Sequence, residues 1–173
     1  MEPMTFPERT MPPLDASERE TAEGWLDYYR ATLLHICEGL DDGSLRQRQV
    51  PPSVLSLQGL VQHLAEVERN WFRRVLAGED LPSIHPDGKT PEGHDGGFEV
   101  DSATSFAAAR GGWEREVSAA RANCAGRAFS DTVPFMGAEV SLRWIHHHMI
   151  AEYARHCGHA DLLREGIDGV TGV

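Results

Sequence analysis

The sequence predicts an all-α protein: a four-helix bundle with a long crossover between its second and third helices. Three observations carry that prediction. Four stretches of about 22 to 25 residues place apolar side chains at helical spacing. No stretch alternates convincingly in the manner of a strand, and segments rich in Gly, Pro and Asp separate the four. A chain of 173 residues is enough for one domain with a real core and does not demand two, so residues 1–173 are read as one domain.

Residues 1–16 carry four prolines and little periodicity, which predicts an extended arm on the surface. Ser17-Glu18-Arg19-Glu20 fits a capping box, and a first helix follows to about Gly39. Trp25, Tyr29, Thr32, Leu33, Ile36 and Leu40 lie on one face, and Asp41-Asp42-Gly43 marks its end. Ser56 can cap the second helix, SLQGLVQHLAEVERNWFRRVLAG, which stops at Gly78. Leu57, Leu60, Val61, Leu64, Val67, Trp71 and Val75 form its apolar face, with His63 at the edge and Glu66, Arg69, Arg73 and Arg74 on a face read as solvated. Residues 79–100 hold three prolines and four glycines without periodicity, and a connection of that length tends to be a crossover, a lid or a binding loop. Asp101 or Ser102 can cap a third helix running to about Arg127, with Phe106, Ala109, Trp113, Val117, Ala120 and Cys124 inward. Residues 128–140 leave room for a short extended piece. The fourth helix runs from Ser141 to Glu165, and the Gly-rich tail after it is expected to be pinned only in part.

Bulk properties narrow the function. The net charge of −11, with no run of Lys or Arg, argues against nucleic acid as a partner. No apolar run approaches the length of a membrane span. The first residues lack the basic start and apolar core of a signal peptide. Cys37, Cys124 and Cys157 are odd in number and scattered, which argues for a reducing, cytoplasmic setting over a disulfide framework.

The fourth helix holds the chemistry. Its inward stripe reads Ile145, Met149, Glu152, His156, Ala160 and Leu163, so a carboxylate and an imidazole stand one turn apart on the face that packs. Buried polar groups must be satisfied where they lie. Two readings do so: a hydrogen-bonded Glu152–His156 pair, or a metal ion with His63 of the second helix as third ligand. Two imidazoles and a carboxylate suit a catalytic zinc site, or a non-haem iron or nickel site, with positions left for water and substrate. His63 alone would ordinarily be a core residue bonded to a neighbour.

The chain has nine histidines, and His146, His147, His148, His156 and His159 crowd into this helix. The run 146–148 points three ways and cannot be one site. His148, a turn before Glu152, and His159, a turn after His156, can support the ligands, whereas His146 and His147 are read as surface. His35, His85 and His94 have no partner at helical spacing and are read as structural or solvated. Cys157 projects away from His156 as a packed thiol. Arg155 and Arg164 are read as solvated, and Trp71 and Trp113 as core.

The segments SLQGLVQHLAEVERNWFRRVLAGE and HMIAEYARHCGHADLLREGIDGVTG resemble the hallmark stretches of the DinB-like four-helix superfamily, in particular its actinobacterial mini-circle-type branch. The resemblance implies a divalent metal held by one residue of the second helix and two residues, four apart, of the last: His63, Glu152 and His156. Many members have His at the first of these last two positions; this chain has Glu152 there, as does the related mycothiol-dependent maleylpyruvate isomerase type. Zinc is the first expectation for the ion, with nickel or iron after it. The resemblance also implies use of a low-molecular-weight thiol such as mycothiol or bacillithiol, small electrophiles as substrates, and pairing as a homodimer. Two functions follow as expectations: a metal-dependent thiol S-transferase or isomerase, or a non-catalytic metal-binding stress-response protein of the same fold.

Overall fold

Each helix starts where a side chain can cover its first free N–H groups. Ser17 does this for α1 (Glu18–Cys37), with Glu20 reaching back to complete the capping box. Asp41 caps the one-turn helix α2 (Asp42–Leu45), Ser56 caps α3 (Leu57–Glu68), and Ser141 caps α5 (Leu142–Asp168). The computed structural model describes residues 7–85 and 96–171. The first residues of the arm, the middle of the crossover with His94, and the last two residues of the tail lie outside the described residues.

The architecture is mostly helical. α1 packs against α5, α3 against α4 (Phe106–Cys124), and α3 also meets α5. A small antiparallel hairpin, β1 (Thr132–Phe135) and β2 (Ala138–Ser141), fills the predicted extended piece. Its two-residue loop, Met136-Gly137, has φ of 50° and 81°, the positive values that a tight hairpin turn requires. Residues 7–13 form no regular element, and Arg9 lies over the Tyr28 ring of α1.

α4 starts later than Asp101 or Ser102. Asp101 is spent on a turn, its carboxylate accepting from Ala103 N–H and its carbonyl from Thr104 N–H, and Ser105 is the cap. The Gly111-Gly112 pair does not break the helix.

α3 departs from the sequence reading in one way that matters for function. Beyond Glu68 the chain does not stop; it widens into a π-helical turn, Arg69–Val75, in which Leu76 N–H bonds the carbonyl of Trp71, five residues back. A widened turn takes up one extra residue, and such turns recur at functional sites. The core positions after it are therefore Phe72 and Leu76, at 1% and 2% exposure, in place of Trp71 and Val75. Those two rotate to the side of the helix. The face read as solvated is also covered. Glu66 is buried and accepts from Ile84 and His85 N–H, because the start of the crossover folds back along α3. Arg69 and Arg73 reach the buried Glu116 of α4, and Arg74 pairs with Glu66.

The four long helices meet at one buried polar knot. Arg30 of α1 donates two parallel bonds of 2.8 Å to Glu68 at the end of α3. Tyr153 of α5 donates to the same carboxylate at 2.7 Å, and Trp113 of α4 donates to the Tyr153 oxygen at 2.7 Å. Trp113 is thus core, as read. Around the knot lies an apolar cluster that includes Leu26, Leu33, Leu60, Leu64, Phe72 and Met149. Glu68 is five residues beyond His63, and Tyr153 follows Glu152. The knot therefore fixes how α3 and α5 are set against each other beside the candidate ligands.

Candidate metal centre

α3 carries His63, and α5 carries Glu152 and His156, to one place. One ligand atom from each lies within 4.8 Å of the others, the one such group of His, Cys, Asp and Glu among the described residues. His63 and His156 are buried, and Glu152 is half-buried. The Glu152 Oε2 to His156 Nε2 separation is 3.5 Å, about what two donors show when each sits roughly 2.1 Å from one tetrahedral ion.

Both imidazoles are oriented by a second contact, the arrangement that metal-binding histidines commonly show. His63 Nδ1 lies 3.1 Å from the Gly96 carbonyl. That oxygen can only accept, so Nδ1 carries the proton and Nε2 the lone pair. The far end of the crossover makes this possible. Its residues 96–98 cross directly over α3, and the Phe98 ring stacks on His63 at 4.0 Å. Gly97 has φ of 100°, and a Cβ there would fall 2.5 Å from His63 N; a Cβ on Gly59 would fall 2.7 Å from the Phe98 carbonyl oxygen. Only glycine at both positions lets the two backbones approach this closely. Gly97→Ala is therefore expected to lift the segment from α3 and free the His63 ring. Metal affinity should fall by roughly 10- to 100-fold, the usual effect of losing a group that orients a ligand. Competition against a chromogenic chelator measures it, and an unchanged affinity would show that the crossover does not hold His63.

His156 Nδ1 lies 3.3 Å from Nδ1 of His159. With His156 as the donor, its Nε2 keeps a lone pair facing Glu152. Burial, and then the neighbouring His63, His159 and Arg155, push the His156 pKa down to about 3, so the ring is neutral and able to bind a cation at neutral pH. His148 Nε2 stands 3.8 Å from the other oxygen of Glu152, and burial lowers its pKa as well. His148 and His159 thus lie next to the two candidate ligands of α5.

The remaining histidines divide. His147 is exposed, as read, with Nδ1 2.8 Å from the Arg143 carbonyl. His146 is not on the surface: it is buried against the rings of Phe72 and Phe129, with Nδ1 on the Leu142 carbonyl. His35 pairs with Glu38 at the exposed end of α1, and His85 is half-buried near Gln62. Arg155 is exposed. Arg164 is not solvated; it donates to the Ile36 and Glu38 carbonyls and closes the end of α1.

No cysteine of the chain suits a nucleophile. All three are buried, free thiols. Burial pushes Cys37 and Cys157 up to about 12 and Cys124 up to about 11, so each stays protonated at neutral pH. A thiolate acting at this centre has to come from outside the chain.

Space for it is present. A cleft of about 910 Å³ opens beside His63 and Glu152, bounded by the π-helical turn and the hairpin. Trp71 lines it, together with Val75, Phe135, Met136 and His148. Trp71 is thus a wall of the cleft, where the sequence reading made it core.

These features define a helical protein with two oriented imidazoles and a carboxylate grouped beside a roomy cleft, a donor set that could hold a divalent ion. The chain belongs to the mycothiol-S-transferase family, whose model matches residues 21–169, and through it to the DinB-like superfamily. No curated protein matches the sequence. No helix among the described residues is long and apolar enough to cross a membrane.

Proposed function

We propose that the protein is a divalent-metal-dependent transferase that joins a small thiol, mycothiol first among them, to small electrophiles. His63, Glu152 and His156 are its metal ligands. The observation that carries this reading is the orientation of the donors. Gly96 fixes the tautomer of His63, His159 lies against Nδ1 of His156, and burial keeps the His156 ring neutral, with no charge to repel a cation. A buried Glu–His pair serving only packing would not need a second helix to contribute an imidazole held in this way. Zinc suits two nitrogens and one carboxylate oxygen best, with nickel or iron as the other ions that take the set. The protein ligands number three, which leaves room for the thiol.

A bound ion would lower the pKa of the cofactor thiol and hold it as thiolate at neutral pH. The chain supplies the rest. His63 and His156 are locked in place before the thiol arrives, so little ordering remains to be done on binding. His148 Nε2 lies 3.8 Å from one oxygen of Glu152. The cleft walls keep the electrophile beside the sulfur and reduce the access of competing water. We place these residues in a single DinB-like four-helix bundle, working in the cytoplasm where such thiols are found. Homodimer pairing rests on the resemblance alone.

Metal content and turnover of the same preparation test the reading. One equivalent of metal per chain, and mycothiol-dependent conjugation of monochlorobimane that chelation abolishes and zinc restores, is the expected result. Full metal occupancy without metal-dependent turnover across mycothiol, bacillithiol and glutathione would favour the non-catalytic metal protein.

A further inference from the structure

We propose that the cleft beside the centre is a subsite for a planar, apolar electrophile, and that Trp71 is the residue that selects it. The chemistry rests on the transferase reading above; the binding does not. Four rings form a continuous wall there. Trp71 lies 5.2 Å from Phe135 of the hairpin, 5.3 Å from Trp144 and 4.5 Å from His148. His148 in turn stacks on Trp144 at 5.0 Å, with planes 7° apart. The wall leads from the hairpin to Glu152, so a flat molecule lying along it meets the centre at its inner end.

Much of this apolar surface is left in water. Trp144 is 48% exposed and Met136, at the hairpin tip, 89% exposed. Both are large apolar side chains at the rim of a concave site, where exposed apolar surface marks binding more often than accident. The backbone also departs from regular geometry to build the wall. The π-helical turn moves Trp71 out of the core, and the hairpin loop holds Met136, a bulky residue, at positive φ. Polar recognition along the wall is sparse. Among the described residues the lining holds one guanidinium, Arg74, which is already engaged by Glu66 and by the Leu81 carbonyl. A substrate carrying a carboxylate or phosphate finds no ready partner in it, whereas an aryl ring finds faces and edges to stack against.

An α-chloroketone pair isolates the ring from the reaction. In both 2-chloroacetophenone and chloroacetone the thiolate sulfur forms a bond to the chlorine-bearing carbon. The C–Cl bond breaks, chloride leaves with the electron pair, and the proton lost by the thiol passes to solvent. The zinc-loaded full-length protein is expected to show a kcat/KM for 2-chloroacetophenone at least about tenfold above that for chloroacetone, after correction for the uncatalysed rates. Trp71→Ala should erase that preference and Trp71→Phe retain most of it, with metal content equal in all three. Binding supplies a readout independent of turnover. Acetophenone, which cannot alkylate a thiol, should bind Trp71→Ala at least about fivefold more weakly than wild type or Trp71→Phe by calorimetry. An unchanged preference together with unchanged acetophenone binding in Trp71→Ala overturns the subsite. Absence of turnover with either chloroketone, while acetophenone binding still depends on Trp71, overturns the transferase reading and upholds the subsite.

Discussion

Replacing His63 or His156 with alanine is expected to empty the centre, and to lower thiol transfer by about 10³-fold, the several kcal/mol that a Lewis-acid ion supplies to a reaction. Either change leaves one imidazole and one carboxylate, too few to hold the ion at ordinary concentrations. Glu152→Ala should act in the same direction and leave two imidazoles. His147→Ala is the control, since that ring is exposed and its Nδ1 faces the carbonyl of its own helix. It should keep both metal and rate. Elemental analysis with a steady-state assay reads all four variants, and equal metal content in wild type and His63→Ala would remove His63 from the site.

Glu68→Ala is expected to cost the fold about 3–5 kcal/mol, because it leaves the buried Arg30 guanidinium with only the half-exposed Asp27 carboxylate and takes the acceptor from Tyr153. The carboxylate has no exposed surface, takes two bonds of 2.8 Å from Arg30 and a third from Tyr153. That loss is a large part of the roughly 5–15 kcal/mol by which a domain of this kind is stable. Removing both charges together, as Arg30→Met with Glu68→Met, should recover most of it, since a buried ion pair can be replaced by apolar groups at little net cost. Urea unfolding measures the series, and a loss below about 1 kcal/mol for Glu68→Ala would show that the pair is solvated in solution. The double variant also tests function: if the knot sets α3 against α5, it should fold yet bind metal more weakly than wild type.

The helices were legible because their signals are local. Ser17, Ser56 and Ser141 each announce a helix within a few residues, and the stripe Ile145, Met149, His156, Ala160 and Leu163 is buried as its spacing predicts. The grouping of His63 with Glu152 and His156 was legible for a related reason, since polar residues on faces that pack have to meet something. What the sequence hid is non-local. Nothing in the order of residues says that Gly96 will accept from a histidine 33 positions earlier. The register change after Glu68 was hidden because strict helical spacing carries Trp71 inward; a pattern in which Phe72 and Leu76 are the apolar partners fits the same residues once one is added to the turn. Glu66, Arg69 and Arg73 looked solvated because their partners, the Ile84 and His85 amides and Glu116, come from distant parts of the chain.

The proposed transfer requires an external thiolate to meet a metal held by His63, Glu152 and His156. Cobalt(II) in place of the native ion reports that contact directly, because a sulfur ligand adds an intense thiolate-to-metal charge-transfer band that nitrogen and oxygen ligands do not give. Cys37, Cys124 and Cys157 are buried and protonated, so the chain itself should contribute none of it. Titrating mycothiol into the cobalt protein should raise the band to saturation at one thiol per chain, and His63→Ala should not show it. Cobalt bound at full occupancy with no band on adding mycothiol, or a band of equal strength in His63→Ala, would contradict the account.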